Sequence, residues 1–416
     1  MINKRFSYHG LLVATMTVSA PFAAHVHAAG FQLNEHSTTG LGRAFAGEAA
    51  YGDNAAAIAR NPALATRLEG TQTSVGVTYI NPKISADGTA SYLGGAGPTV
   101  NADRDDYAPE AWVPNAYLSQ QINDRWSWGL SLNSYFGLST DLGNGYSASD
   151  IAEEAEVITM NINPSVAYRL TDSISLGAGV SLVKADATLT TGGGPLAGAQ
   201  TMNVEGDDIG WGINLGATWQ VNEAVRLGLA YRSEVELELD GRAKSDLVPN
   251  YNQKGSLNLN LPAVAELSAI YDVNERLTFS ASAQWTEWSV FEELLIDFDD
   301  GSELQLKEEN FEDSWRYALG VTYQLNPAWT LRAGMALDNA ASTSGYRSLS
   351  IPDTDRLWYS AGFTYQHSNQ LSVDLGLAYL DGDDIDFTET SALGTTFSGS
   401  TSASAELVAV SVNYQF

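Results

Sequence analysis

The feature that most constrains this chain is a two-residue alternation that runs to its last residue. In residues 406–416, Val408, Val410, Val412, Tyr414 and Phe416 share one face, while Ala409, Ser411, Asn413 and Gln415 share the other. Successive strand side chains point to opposite faces, so this is how a strand reads with lipid outside and a polar lumen inside. The pattern recurs upstream. Leu371, Val373, Leu375, Leu377 and Tyr379 oppose Ser372, Asp374, Gly376 and Ala378. Trp329, Leu331, Ala333, Met335 and Leu337 oppose Thr330, Arg332, Gly334 and Asp338. Trp211 to Trp219 and Ile174 to Leu182 repeat it. Counting from Ser74 gives about fourteen strands, an even number as bacterial barrels require. The fold class expected is all-β: a transmembrane antiparallel barrel. A soluble β-sandwich with an aromatic core would not explain so many strands that are apolar along one whole face.

The connections alternate in length. Asn123-Asp124, Thr171-Asp172, Asn222-Glu223, Asn274-Glu275, Asn326-Pro327 and Ser368-Asn369 read as tight turns. Residues 141–154, 190–207, 240–255 and 381–402 read as long polar loops. Short turns belong at the periplasmic end and long loops outside. Trp126, Trp219 and Trp329 lie beside tight turns, where an interfacial aromatic girdle sits.

Residues 1–28 have the layout of an export signal: Lys4 and Arg5, an apolar run from Leu11 to Ala24, and Val26-His27-Ala28 before the cut. The run is too short to span a bilayer and contains Pro21. The chain carries 21 basic and 50 acidic residues, net −29. Cleavage removes Lys4 and Arg5 and no acid, leaving 19 basic against 50 acidic residues, or −31. That balance argues against nucleic acid and other polyanions as partners. The acids cluster in the long loops, for example at 150–156 and 381–386, and read as a solvated face. Near lipopolysaccharide, such carboxylates could be bridged by divalent cations. There is no cysteine, so closure of the barrel rather than disulfides must stabilise the chain.

Between signal and strands lies AGFQLNEHSTTGLGRAFAGEAAYGDNAAAIARNPAL, residues 29–64. It is rich in Gly and Ala and lacks alternation; only 55–60, with Asn54 as N-cap, reads as helical. Such a segment cannot fold alone, and its small side chains suit a backbone packed inside a polar-walled lumen. AGFQLNEHSTTGLGRAFAGEAA and ARNPAL resemble the mature N-terminus of the FadL family, the long-chain fatty-acid transporters of the Gram-negative outer membrane. AWVPNAYL, LNLNLPAV, SIPDTDRLW and the terminal VNYQF resemble it too, in the same order. The resemblance implies a signal at 1–28, a plug or hatch at 29–70 and a barrel at 71–416. It implies passive transport of long-chain fatty acids, with aromatic or other hydrocarbons as alternative substrates. A nonselective porin is opposed by the plug. An outer-membrane lipid hydrolase is the reading from a different class.

Candidate site residues follow. Phe31 and Leu33 resemble family positions near the ligand. Arg232, Arg316, Arg332 and Arg356 fall in lumen-facing phase, where one could meet a carboxylate or simply pair with Glu234, Asp338 or Asp355. Where the family can carry a basic residue at the outer end of the fifth strand, this chain reads Leu189-Thr190-Thr191. Asn61, Pro62 and Ala63 are expected to anchor the plug, since Pro62 fixes its own φ and holds Asn61 extended. Tyr135, Phe136 and Gly137 resemble the stretch where the third strand kinks and opens the wall sideways. Phe416 resembles the signal by which the barrel-assembly machinery recognises its clients. His36 and His367, the two histidines left after cleavage, have no evident nucleophile–carboxylate partners, so no catalytic residue is assigned. Asp297, Asp299 and Asp300 before Gly301 miss the calcium-loop spacing and read as a surface hairpin. No metal or cofactor is expected. The expected location is the outer membrane. Purified protein should give a β-type circular dichroism spectrum and migrate differently before and after boiling on a denaturing gel; a helical spectrum would contradict the barrel.

Overall fold

The computed structural model describes residues 30–196 and 198–416. The expected export signal, 1–28, lies outside the described residues.

Fourteen wall strands close on themselves. They are β1 (Thr71–Ser91), β2 (Ala111–Gln121), β3 (Trp126–Asn133, resuming as Gly137–Asp141), β4 (Glu154–Arg169), β5 (Ile174–Gly192) and β6 (Gln200–Gln220). Next come β7 (Val225–Arg232, resuming as Glu238–Lys244), β8 (Lys254–Asn258, then Val264–Asn274), β9 (Leu277–Thr286, resuming as Glu293–Phe298) and β10 (Glu303–Glu308, then Ser314–Asn326). The last four are β11 (Trp329–Asp338), β12 (Arg356–Gln366), β13 (Leu371–Gly382, then Ile385–Thr390) and β14 (Thr396–Gln415). Each pairs antiparallel with its neighbours, and β14 returns to β1 from Gln72↔Gln415 to Ser91↔Thr396. Phe416 N–H then donates to Thr71 O at 2.9 Å. This closure leaves no free edge at the seam between first and last strands, which hydrocarbon surroundings demand.

The alternation sorts as expected: Val408, Val410, Val412 and Phe416 face outward, whereas Ala409, Ser411 and Asn413 are buried. Three expectations about length are corrected. Residues 190–207 are mostly ladder rather than loop, since Thr190 pairs with Asn203 and Asp186 with Asp207. The stretches 240–255 and 381–402 likewise continue as strand, with Asp240↔Ser256 and Ile385↔Thr401 in register. Polar residues hid these extensions because outside the bilayer a strand needs no apolar face.

Residues 30–68 are enclosed by this wall. Two short helices, α1 (Thr38–Leu41) and α2 (Ala57–Arg60), and a 3-10 turn at Pro62–Arg67 are joined by tight turns. Ser37 caps α1 by accepting from Gly40 N–H. Asn54 is not the N-cap of α2 but accepts from Ala56 N–H one turn earlier. The segment touches strands around the whole circumference. Tyr117 of β2 donates to His36 O, Arg226 of β7 to Ala50 O, and Arg316 of β10 to Ala44 O. Ala49 N–H donates to Glu266 and Ser268 of β8. Inside, Arg43 bridges Glu48 at 2.6 Å and Asp53 at 3.0 Å. Breaking such a buried pair by removing one partner costs about 3–5 kcal/mol.

Asn61 is the most heavily committed residue of the segment. Its amide donates to Ala49 O at 2.5 Å, Ala217 O at 3.1 Å and Leu229 O at 3.3 Å, while its Oδ1 accepts from Ala63 N–H. Two wall strands, β6 and β7, are thereby tied to two turns of the segment. The wall makes room with glycine: a Cβ on Gly216 would lie 1.9 Å from Asn61 Oδ1, and one on Gly177 would lie 2.3 Å from Ala63 N. Asn61→Ala leaves the buried Ala49 carbonyl without this donor, a loss of about 1–3 kcal/mol where water cannot replace it. Asn61→Ala and Gly216→Val should each raise ion conductance in planar bilayers at unchanged barrel yield. Wild-type conductance in both would show that the segment is held elsewhere.

Candidate functional site

β3 stops at Asn133, opposite Asn161 of β4, and resumes at Gly137, opposite Ile158. Three residues on β3 therefore oppose two on β4, the count of a β-bulge. On the other side, the β2–β3 ladder ends at Ala116↔Leu132. Among the described residues, positions 111–115 of β2 pair with β1 but with no strand on their β3 side. The wall is open there.

The backbone at the break finds partners from inside. Leu33 N–H donates to Tyr135 O at 2.7 Å, and Gly137 N–H donates to Phe31 O at 3.0 Å. Phe136 N–H reaches Thr159 Oγ1, and Phe136 O accepts from Thr159 and Ser134. The start of the N-terminal segment thus substitutes for the missing strand. Gly137 lies in ordinary strand geometry, within the resumed ladder. Its lack of a side chain matters because a Cβ there would meet Leu33 Cδ1 at 3.0 Å.

Phe31 packs into an aromatic cluster against Phe136, Trp288 and Phe291, with ring centroids 4.8–6.1 Å apart and all edge-on. Trp288, completely buried, sits in the turn where β9 is interrupted. Sequence reading assigned Trp288, Phe291 and Phe311 no role. The break in the alternation at 287–292 was the available signal. Gly30 N–H donates to Asp353, which also accepts from Ala341 and Ser342 N–H. Burial raises the Asp353 carboxyl to about 6 against the pull of these donors. Asp353 belongs to the β11–β12 loop, which reaches across to β3 where Thr140 donates to Ser350 O.

Outward of Phe31 lies a narrow apolar cleft of about 50 Å³, lined among others by Leu138, Val157, Leu189, Val204, Leu239, Leu257, Leu294 and Ile351. Leu189 thus lines an apolar surface at the position where a basic residue was sought. The apolar surface continues inward through Leu259, Leu261, Val235 and Val183 to Tyr135 and Phe136. There it meets polar groups: Arg232, Ser181 and Asn161 line one small recess, and Gln32, Arg60, Arg232 and Glu266 line another, each with about 10 Å³ of free space.

The four candidate arginines do not converge. Arg356 pairs with Asp338 at 3.3 Å, and Arg332 with Asp53 at 3.6 Å. Arg316 donates to Ala44 O and lies over the Trp358 ring at 4.9 Å. Arg232 donates to Ser181 Oγ and Ala59 O, both at 2.9 Å, and stacks over Tyr135 at 3.6 Å. Among the described residues, neither Arg316 nor Arg232 forms an ion pair. Of these two, only Arg232 borders the recesses at the wall break. Its stacking contributes about 0.5–2 kcal/mol to holding Tyr135. Arg60, unassigned from sequence, pairs with Glu266 at 3.3 Å. In the segment's interior, burial and the Arg60 charge push the His36 imidazole down to about 4, so it is neutral at neutral pH.

The chain was compared with known proteins. The family described as "Outer membrane protein transport protein (OMPP1/FadL/TodX)" matches residues 19–416. A "Long-chain fatty acid transport protein" of Escherichia coli is 36% identical over 450 residues, spanning 99% of each chain. "Outer membrane protein P1" of Haemophilus influenzae is 35% identical, across 99% of this chain and 100% of that one. Among solved structures, a Pseudomonas aeruginosa FadL homologue superposes with a TM-score of 0.84 at 24% identity, covering 93% of this chain and 100% of the other. The Pseudomonas putida toluene transporter TodX shares the fold at a TM-score of 0.68 and 18% identity, covering 93% of this chain and 100% of the other. With a closed fourteen-strand barrel and near full-length identity to curated members, this chain belongs to the OMPP1/FadL/TodX family of outer-membrane transport proteins.

Proposed function

We propose that this protein carries long-chain fatty acids passively through the outer membrane and releases them sideways through the break in β3. The observation that carries the reading is one contiguous apolar cluster. It runs from the outer cleft at Leu257 past Phe31 to Tyr135 and Phe136 at the open wall, with Arg60 and Arg232 at its inner end. An acyl chain gains nothing from aqueous periplasm, whereas apolar burial returns about 0.8 kcal/mol per CH₂. Residues 29–70 act as the plug in this reading, anchored by Asn61, Pro62 and Ala63, and 71–416 as the barrel. Phe31 and Leu33 hold the plug's start at the gate formed by Tyr135, Phe136 and Gly137. No catalytic step is needed, and none of these residues is given one. The long-chain fatty acid named for the E. coli relative fits the slot-and-cation layout, while a neutral hydrocarbon would use the slot and leave the cation idle. The outward apolar face is solvated by outer-membrane lipid and lipopolysaccharide, and Phe416 serves recognition by the assembly machinery.

The test restores the ladder. Deleting Ser134 would leave Tyr135 and Phe136 opposite Met160 and Thr159, two residues against two. Oleate uptake in cells lacking other long-chain transporters should then fall to background, at normal surface level and heat-modifiable migration. Full uptake through the repaired wall would mean that substrate leaves down the lumen.

A further inference from the structure

We infer that Arg232 is a carboxylate-reading latch on the wall break, and therefore the residue that sets preference for acids over neutral lipids. The inference rests on the fatty-acid reading above. Arg232 ends the first half of β7, with its backbone paired to Val264 and Asn214. Its guanidinium spends one N–H on Ser181 Oγ and one on Ala59 O, both neutral acceptors. It has five N–H donors in a fixed fork suited to a carboxylate, and among the described residues no acid is paired with it. It borders both recesses at the inner end of the apolar surface.

The same group holds the gate. The Arg232 guanidinium lies 3.6 Å over the Tyr135 ring, and the Tyr135 hydroxyl donates to Ala59 O at 2.6 Å, the carbonyl that Arg232 also contacts. Tyr135 O in turn accepts from Leu33 N–H. One carbonyl, one ring and one guanidinium therefore clamp β3 at its break to the N-terminal segment. A carboxylate arriving along the apolar surface is a stronger acceptor than Ala59 O, because a hydrogen bond between ions is about twice as strong as a neutral one. It would draw the guanidinium off both Ala59 O and the Tyr135 ring. A neutral head group offers no such exchange and must pass the clamp closed.

The test compares oleate with oleyl alcohol, which share a tail and differ in head group. Uptake is measured in cells lacking other long-chain transporters, with surface level matched by heat-modifiable migration. Arg232→Gln should cut oleate uptake by about tenfold, the loss of one charge-assisted contact, and leave oleyl alcohol uptake unchanged or raised because the clamp is weakened. Arg232→Lys, which keeps the charge without the fork, should fall between wild type and Arg232→Gln for oleate. Should Arg232→Gln fail to reach the surface, Arg232→Lys carries the same comparison. A parallel fall of both substrates would reduce Arg232 to a structural tie, and unchanged oleate uptake would remove it from substrate recognition; either overturns the inference alone. Failure of the wild type to take up oleate would overturn the fatty-acid reading itself, and this inference with it.

Discussion

Every backbone polar group of a chain in hydrocarbon must find a partner within the protein, and this barrel depends on that requirement most at the place where it breaks the rule. The ladder that closes β14 onto β1 over almost the full length of both strands fails between β2 and β3 above Ala116↔Leu132. An open edge facing lipid would cost several kcal/mol for each unsatisfied group. Here the groups turn inward instead: Tyr135 O and Gly137 N–H bond to Leu33 and Phe31, and Phe136 uses Thr159 and Ser134. The opening and the N-terminal segment are thus one structural solution. Moving one exposes the backbone of the other.

The interior follows from the same accounting. The segment at 30–68 carries many backbone groups in turns rather than in a ladder, and the wall supplies partners with inward polar side chains. Arg226, Arg316, Asn115, Tyr117, Glu266 and Ser268 each bond to its main chain. Close approach is bought with glycine at Gly177 and Gly216, where any side chain would collide with the Asn61-Pro62-Ala63 turn. Of the segment's acids, Glu48 and Asp53 answer Arg43 and Arg332, while Glu35 is buried without an ion pair and burial raises its carboxyl to about 7. Arg232, like Arg226 and Arg316, bonds to neutral acceptors, and of the three it is the one that borders the recesses at the break.

The barrel was legible in the sequence because lipid on one side and polar lumen on the other force alternation on each spanning strand. Strand number, tight turns and the outward phase of Phe416 all follow from that one period. Strand length was not legible beyond the bilayer, where 186–192 and 200–207 stay in ladder with a polar outward face and an apolar inward one. The candidate site was legible in part. Phe31, Tyr135 and Phe136 do meet, and Leu33 packs on Gly137, but the four arginines scatter because lumen-facing phase fixes direction and not height. Trp288 and Arg60 were missed since each sits in an irregular turn or short helix, where no period marks a face.

The central claim is that the apolar path leads from the lumen to the bilayer at the break in β3. A fatty acid bearing a photoreactive diazirine at its tail, supplied to the protein in native outer membrane and mapped by mass spectrometry after illumination, tests it most directly. The account predicts labels on the open edge of β2 at residues 111–115 and on 134–138, together with Phe31. Labels confined to the periplasmic turns, such as 122–125 and 221–224, would contradict it.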